Sequence, residues 1–160
     1  MELSFQHAIP RPLAEVERTL LAPGFAERLA RDGGVLASGE ELGRVERGDA
    51  VERTARFVVA GAIPLLGRFG SVGWREVVAW SRASHQGTFV VTPDLPARLA
   101  ARVRCGGTYA LEPAGAATRR SVQASVELAV PLARGEIEHR IAALLARVFD
   151  AEARVLGAEP

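Results

Sequence analysis

Six polar residues stand on the apolar phase of the segments that carry them, and any chemistry is expected there. His7 shares a face with Leu3 and Phe5, and Arg53 lies between Val51 and Ala55. Glu76 is in phase with Trp74, Val78 and Trp80; Tyr109 is in phase with Val103, Cys105 and Leu111. Arg120 alternates with Val122 and Val126, and Glu152 falls between Val148 and Val155 in a helical stripe. An inward polar group either lines a cavity or is paired, because an unpaired buried charge is too costly. Two readings follow. In one, Arg53, Arg120 and Tyr109 hold the polar end of an apolar ligand, the planar fork of arginine matching a carboxylate. In the other, Glu76 or Glu152 pairs with Arg53 or Arg120 as an internal ion pair. Both rest on strict alternation, since a one-residue bulge exchanges the two faces of a strand.

Other chemistries find little support. His7, His85 and His139 show no metal-ligand spacing. A single cysteine excludes an internal disulfide and a cysteine-based zinc site. Cys105 reads as a small buried hydrophobe rather than a nucleophile. No phosphate-binding, dinucleotide-binding or nucleophile-elbow motif occurs. No cofactor and no metal is therefore expected, and no catalytic residue is assigned. If the chain is an enzyme, His7, Glu76 or Tyr109 would act as acid or base in a dry cavity.

The elements that must position these residues can be read from periodicity. The chain has 160 residues, 48% of them hydrophobic, enough for one domain over 1–160 with a real core. The 20 basic residues are all arginine and offset 19 acidic ones, which argues against a nucleic-acid footprint. The N-terminal residues lack the pattern of a signal peptide, and no apolar run is long enough to span a membrane. A cytoplasmic protein is the expectation.

Glu2 to Ala8 alternates as a half-buried strand, ended by Pro10 and Pro12. Leu13, Val16 and Leu20 recur at helical spacing, and a second short helix runs from Phe25 to Arg31. Strands follow at Val35 to Arg47, Val51 to Ala60, Trp74 to Ser81, Gln86 to Thr92, Ala101 to Leu111 and Thr118 to Val130. Gly48-Asp49 marks a hairpin turn. Gly135 to Leu156 is the longest helix, with Ile137, Ile141, Leu144, Leu145, Val148, Val155 and Leu156 in one stripe. Strands joined by short connections make an antiparallel sheet, and an apolar helix face must pack on it. The fold class is α+β.

That order resembles the START-like superfamily, also called the polyketide cyclase/dehydrase and lipid transport superfamily. Leu3-Ser4-Phe5-Gln6-His7-Ala8-Ile9-Pro10-Arg11-Pro12-Leu13 is similar to its first strand running through proline into a helix. Val126-Glu127-Leu128-Ala129-Val130-Pro131-Leu132-Ala133-Arg134-Gly135-Glu136 is similar to the last strand and closing helix of a bacterial branch. The resemblance covers essentially the whole chain. It implies a helix-grip fold, a curved antiparallel sheet of about six or seven strands wrapped around a long C-terminal helix, with two short helices after the first strand. It also implies a cavity between sheet and helix.

The expected occupant is an apolar small molecule or lipid. Candidate wall residues are Phe57, Val59, Trp74, Trp80, Phe89, Val91, Val126, Ile141 and Leu145, beside the polar set His7, Arg53, Glu76, Tyr109, Arg120 and Glu152. Trp74 and Trp80 suit an ordinary core equally well. The segment 61–70 is apolar and flanked by glycine, unlike a usual surface loop. The resemblance implies a mouth-closing loop there. Ile63, Leu65, Leu66 and Phe69 could touch a membrane transiently, aided by Arg68. They could equally fold onto the core or meet a second copy. Two rival functions stand beside the carrier: a cyclase or hydrolase acting on a polyketide-like substrate, and a protein-interaction module with a filled core.

Overall fold

Alternation along the chain translates directly into strands with one buried face. In the computed structural model, which describes residues 1–60, 72–129 and 134–159, the order is β1 (Glu2–Ile9), α1 (Leu13–Leu20), α2 (Phe25–Gly33), β2 (Leu36–Arg47), β3 (Ala50–Val59), β4 (Gly73–Ser81), β5 (Gln86–Pro93), α3 (Ala97–Ala100), β6 (Val103–Ala114), β7 (Ala117–Leu128) and α4 (Arg134–Gly157). The seven strands form one antiparallel sheet in the order β1-β7-β6-β5-β4-β3-β2. Each hairpin neighbour in sequence is a neighbour in space, and β1 completes the sheet beside β7. This is the helix-grip fold: a curved sheet, two short helices after its first strand, and a long C-terminal helix.

The inner face follows the expected phase. Thr118, Arg120, Val122, Ala124, Val126 and Leu128 of β7 are all buried, and so are Val51, Arg53, Ala55, Phe57 and Val59 of β3. Bulges do occur, at Leu36/Ser38 and Glu41/Gly43, but both lie in the edge strand β2 and leave the inward residues of the other strands in place. The β2–β3 turn uses Gly48 at φ 58°, a left-handed conformation that glycine adopts without a Cβ penalty. Gly107 of β6 serves a different need. A Cβ there would collide with the Gln123 carbonyl and come within 2.9 Å of the Phe89 ring, so its absence makes room for the Phe89 ring beside β6.

The core is not spread evenly along α4. Its C-terminal half is buried through Val148, Phe149, Ala151, Val155 and Leu156, packed with Ile9, Val16, Leu20, Phe25 and Leu29 of β1, α1 and α2. Burial of a side chain the size of Phe149 contributes about 2–3 kcal/mol. Its N-terminal half is less covered: Ile137, Ile141, Leu144 and Leu145 are half-buried. The two short helices reach one end of the groove, and α4 therefore grips a solid core at that end and overhangs a space at the other.

Three differences from the sequence expectation are local. The last strand's described part ends at Leu128, and Val130, Pro131 and the 61–70 segment lie outside the described residues. The expected strand at Ala101 starts instead at Val103, because the single turn α3 precedes it with Pro96 at its N-cap and backbone bonds from Leu99, Ala100 and Ala101. Phe149, absent from the expected helical stripe, is at its centre of burial. It lies four residues after Leu145, so the same periodicity points to it.

Candidate ligand cavity

A cavity of about 260 Å³ lies beneath the N-terminal half of α4. Its floor is the inner face of four strands: Trp74 and Glu76 of β4, Phe89 and Val91 of β5, Val103 and Cys105 of β6, Val126 and Leu128 of β7. Ile137, Ile141, Leu144, Leu145, Val148 and Phe149 of α4 form its roof, and Leu95 and Leu99 at α3 close one side. Among the described residues the ionisable side chains in this lining are Glu76, Asp94 and Cys105, and no basic side chain joins them. Asp94 is turned outward, accepting from Arg56 Nε at 2.8 Å.

Glu76 is the acid at the inner end. Its side chain is 12% exposed, and its Oε1 lies 3.8 Å from Arg53 Nη2, too far for a hydrogen bond. Burial pushes its carboxyl up from 4.5 to about 7; Arg53 and Arg120 act in the opposite sense, and Glu152 reinforces the rise. The thiol of Cys105 is pushed up to about 11, first by burial and then by Glu76, which keeps it protonated and unreactive. Burial raises the Tyr109 phenol well above its ordinary value.

Behind this end lies a polar layer that separates the cavity from the solid core. Arg53 Nη1 donates to the Leu20 carbonyl at 3.0 Å, and its guanidinium sits over the Phe25 ring. Arg120 is 1% exposed and bonded through Nη2 to Glu152. Its Nη1 donates to the Phe149 carbonyl and to His7 Nδ1, each at 3.3 Å. With His7 Nδ1 accepting, Nε2 carries the proton and donates to Asp150 at 3.0 Å. The Arg120 guanidinium also lies over the rings of Tyr109 and Phe149. Among the described residues the Nε groups of Arg53 and Arg120 have no acceptor.

The structure thus divides the candidate residues. Trp74, Glu76, Phe89, Val91, Val126, Ile141 and Leu145 line the cavity. Arg53, Arg120, Glu152 and His7 belong to the paired layer behind it, so both buried arginines are committed to Glu76, Glu152 and backbone carbonyls. Tyr109 backs the wall, its ring against Phe89 at 4.7 Å. Phe57 stacks behind Trp74 at 5.6 Å, and Val59 is core. Trp80 is also core, its Nε1 donating to Glu17 at 2.8 Å; Glu17 also bonds His85. Ile63, Leu65, Leu66 and Phe69 fall outside the described residues. Phe149, Cys105, Leu95 and Leu99 line the cavity without having been candidates, as do Val103, Leu128, Ile137, Leu144 and Val148. Cys105 was in phase with Tyr109, whereas Leu95 and Leu99 sit in a connection with no periodicity to read.

Among the described residues no group of three potential ligands is placed to hold a metal ion, and no helix is long and apolar enough to cross a membrane. A family model described as a protein of unknown function, DUF2505, matches residues 4–158. The chain belongs to the DUF2505 family. No curated protein sequence matches it. Solved structures share its fold at low identity. TTHA0849 from Thermus thermophilus is 19% identical at a TM-score of 0.70, over 98% of this chain and 97% of that one. The Zhui aromatase/cyclase from a Streptomyces species is 13% identical at 0.69, over 98% and 90%. A START superfamily protein from Mycobacterium smegmatis is 16% identical at 0.65, over 96% of each chain. This DUF2505 chain accordingly has the START-like fold that its first and last elements resemble.

Proposed function

We propose that this chain binds an apolar small molecule in the space between the sheet and α4. The observation that carries the reading is the apolar cavity itself, walled by aliphatic and aromatic side chains and ended by one inward carboxyl. Its volume is just below the roughly 300–1,000 Å³ usual for small-molecule sites. Apolar contact would supply most of the affinity, and Glu76 would set orientation. The structural likeness to a START superfamily protein and to an aromatase/cyclase is consistent with such a container. Transient membrane contact through the apolar 61–70 segment is part of the proposal.

The test is native mass spectrometry of the purified protein followed by organic extraction. A stoichiometric apolar compound supports the container. A ligand-free mass, together with no rise in melting temperature across a panel of apolar compounds, would remove it.

A second reading has one observation in its favour. A carboxyl near 7 in an apolar cavity is suited to general acid–base work at neutral pH. Cyclase or hydrolase chemistry would then run through Glu76, and turnover lost in Glu76→Gln with binding retained would establish it.

A further inference from the structure

We propose that the polar end of the bound molecule is a neutral hydroxyl, as in a phenol or an aliphatic alcohol, donating its hydrogen bond to Glu76. The inference rests on the container reading and gives it a ligand class. Its basis is the charge inventory of the cavity. The inner end presents a carboxyl, and no cation lines the described wall. The two arginines that could have received a carboxylate lie behind the wall, each already facing an acid and a backbone carbonyl. An anionic head group would therefore meet Glu76 with no counter-charge in the described wall. A protonated amine would fare no better, because it would add a third cation next to Arg53 and Arg120. A hydroxyl avoids both costs. It donates to the carboxylate and can accept from the acid, so it suits Glu76 in either protonation state.

Among the described residues Glu76 makes a loose ion pair at 3.8 Å and no hydrogen bond, so it has acceptor capacity to offer. The groups that face it are Arg53 from β3, Cys105 and Tyr109 from β6, Arg120 from β7 and Glu152 from α4. Cys105 and Tyr109 stay protonated, and Glu76 is the member whose charge changes near neutral pH.

Three probes of one skeleton test the idea: naphthalene, 1-naphthol and 1-naphthoate, titrated against the full chain by calorimetry or tryptophan fluorescence. One pH unit above the Glu76 midpoint of about 7, 1-naphthol should bind roughly tenfold or more tighter than either of the others. Naphthoate should recover about tenfold one unit below that midpoint, as Glu76 takes up a proton, while 1-naphthol should hardly change. Glu76→Gln should bind naphthoate about tenfold better at the higher pH and lose the pH dependence. The wild-type pH series needs no variant, so it stands even if Glu76→Gln folds poorly. Naphthoate binding as tightly as 1-naphthol at the higher pH overturns the hydroxyl assignment and leaves the container intact. Equal binding of naphthalene and 1-naphthol has the same meaning. If none of the three binds, the container reading falls and this inference with it.

Discussion

The carboxyl of Glu76 and the guanidinium of Arg53 stand 3.8 Å apart across the wall of the cavity, one facing the space and the other lying behind it. The pair is close enough for attraction and too far for a hydrogen bond. Glu76 is thus the member of the buried charge layer that remains open to a ligand and to a proton.

Its titration should be visible in stability. The folded value of about 7 lies above the ordinary 4.5, so the native state holds a proton that the unfolded chain has released between those values. Stability from this group is therefore fully present below 4.5 and falls as pH rises through about 7. At about 1.4 kcal/mol per unit, the loss is roughly 3 kcal/mol. Melting temperatures of wild type and Glu76→Gln across that window should diverge, with the wild type losing more as pH rises. Parallel profiles would show that the carboxyl ionises as easily in the fold as outside it.

Arg120 and Glu152 form the tighter pair, and removing one partner should be severe. Glu152→Ala leaves Arg120 charged and buried at 1% exposure, a situation that costs about 3–5 kcal/mol. Urea denaturation should show this loss, and the double change Arg120→Met, Glu152→Leu should recover most of it. A double variant no better than the single one would mean that the other Arg120 bonds, to His7 and the Phe149 carbonyl, matter more than the charge pair.

Filling the cavity should separate binding from folding. Leu145 is half-buried in the roof, next to open space. Leu145→Trp should cut affinity for an apolar probe at least about tenfold and change stability by under about 1.5 kcal/mol. Isothermal titration and thermal melting check the two parts. Unaltered affinity would place the bound molecule elsewhere.

Gly107 offers a purely structural control. A Cβ at this position would meet the Gln123 carbonyl and the Phe89 ring, neither able to yield without moving the sheet. Gly107→Ala should destabilise the fold by about 2–4 kcal/mol, read by denaturation. A near-neutral effect would show that β6 and β7 can separate locally.

Much of the candidate site is legible in the sequence as a set of inward polar residues. Arg53, Glu76, Arg120 and Glu152 stand out because each breaks an apolar face, and the structure buries or half-buries all four. Which acid meets which arginine was not legible. Arg53 and Glu76 are brought together by the β3–β4 register, in which Ala55 faces Glu76 and Arg53 faces Val78. Arg120 and Glu152 meet through the depth at which α4 settles on β7. Wall and core residues were likewise indistinguishable: Trp74 and Trp80 share a face of β4, yet one lines the cavity and the other donates to Glu17.

The sequence by itself determined the strands, the long helix and the set of inward-facing residues, because periodicity of two and of 3.6 is a property of the local backbone. Only the tertiary structure decided that the arginines are spent on internal partners, that Phe149 divides solid core from open space, and that Glu76 is the acid left facing that space. Those outcomes depend on strand register and on where two short helices fill a groove, and neither leaves a local periodic trace in the chain.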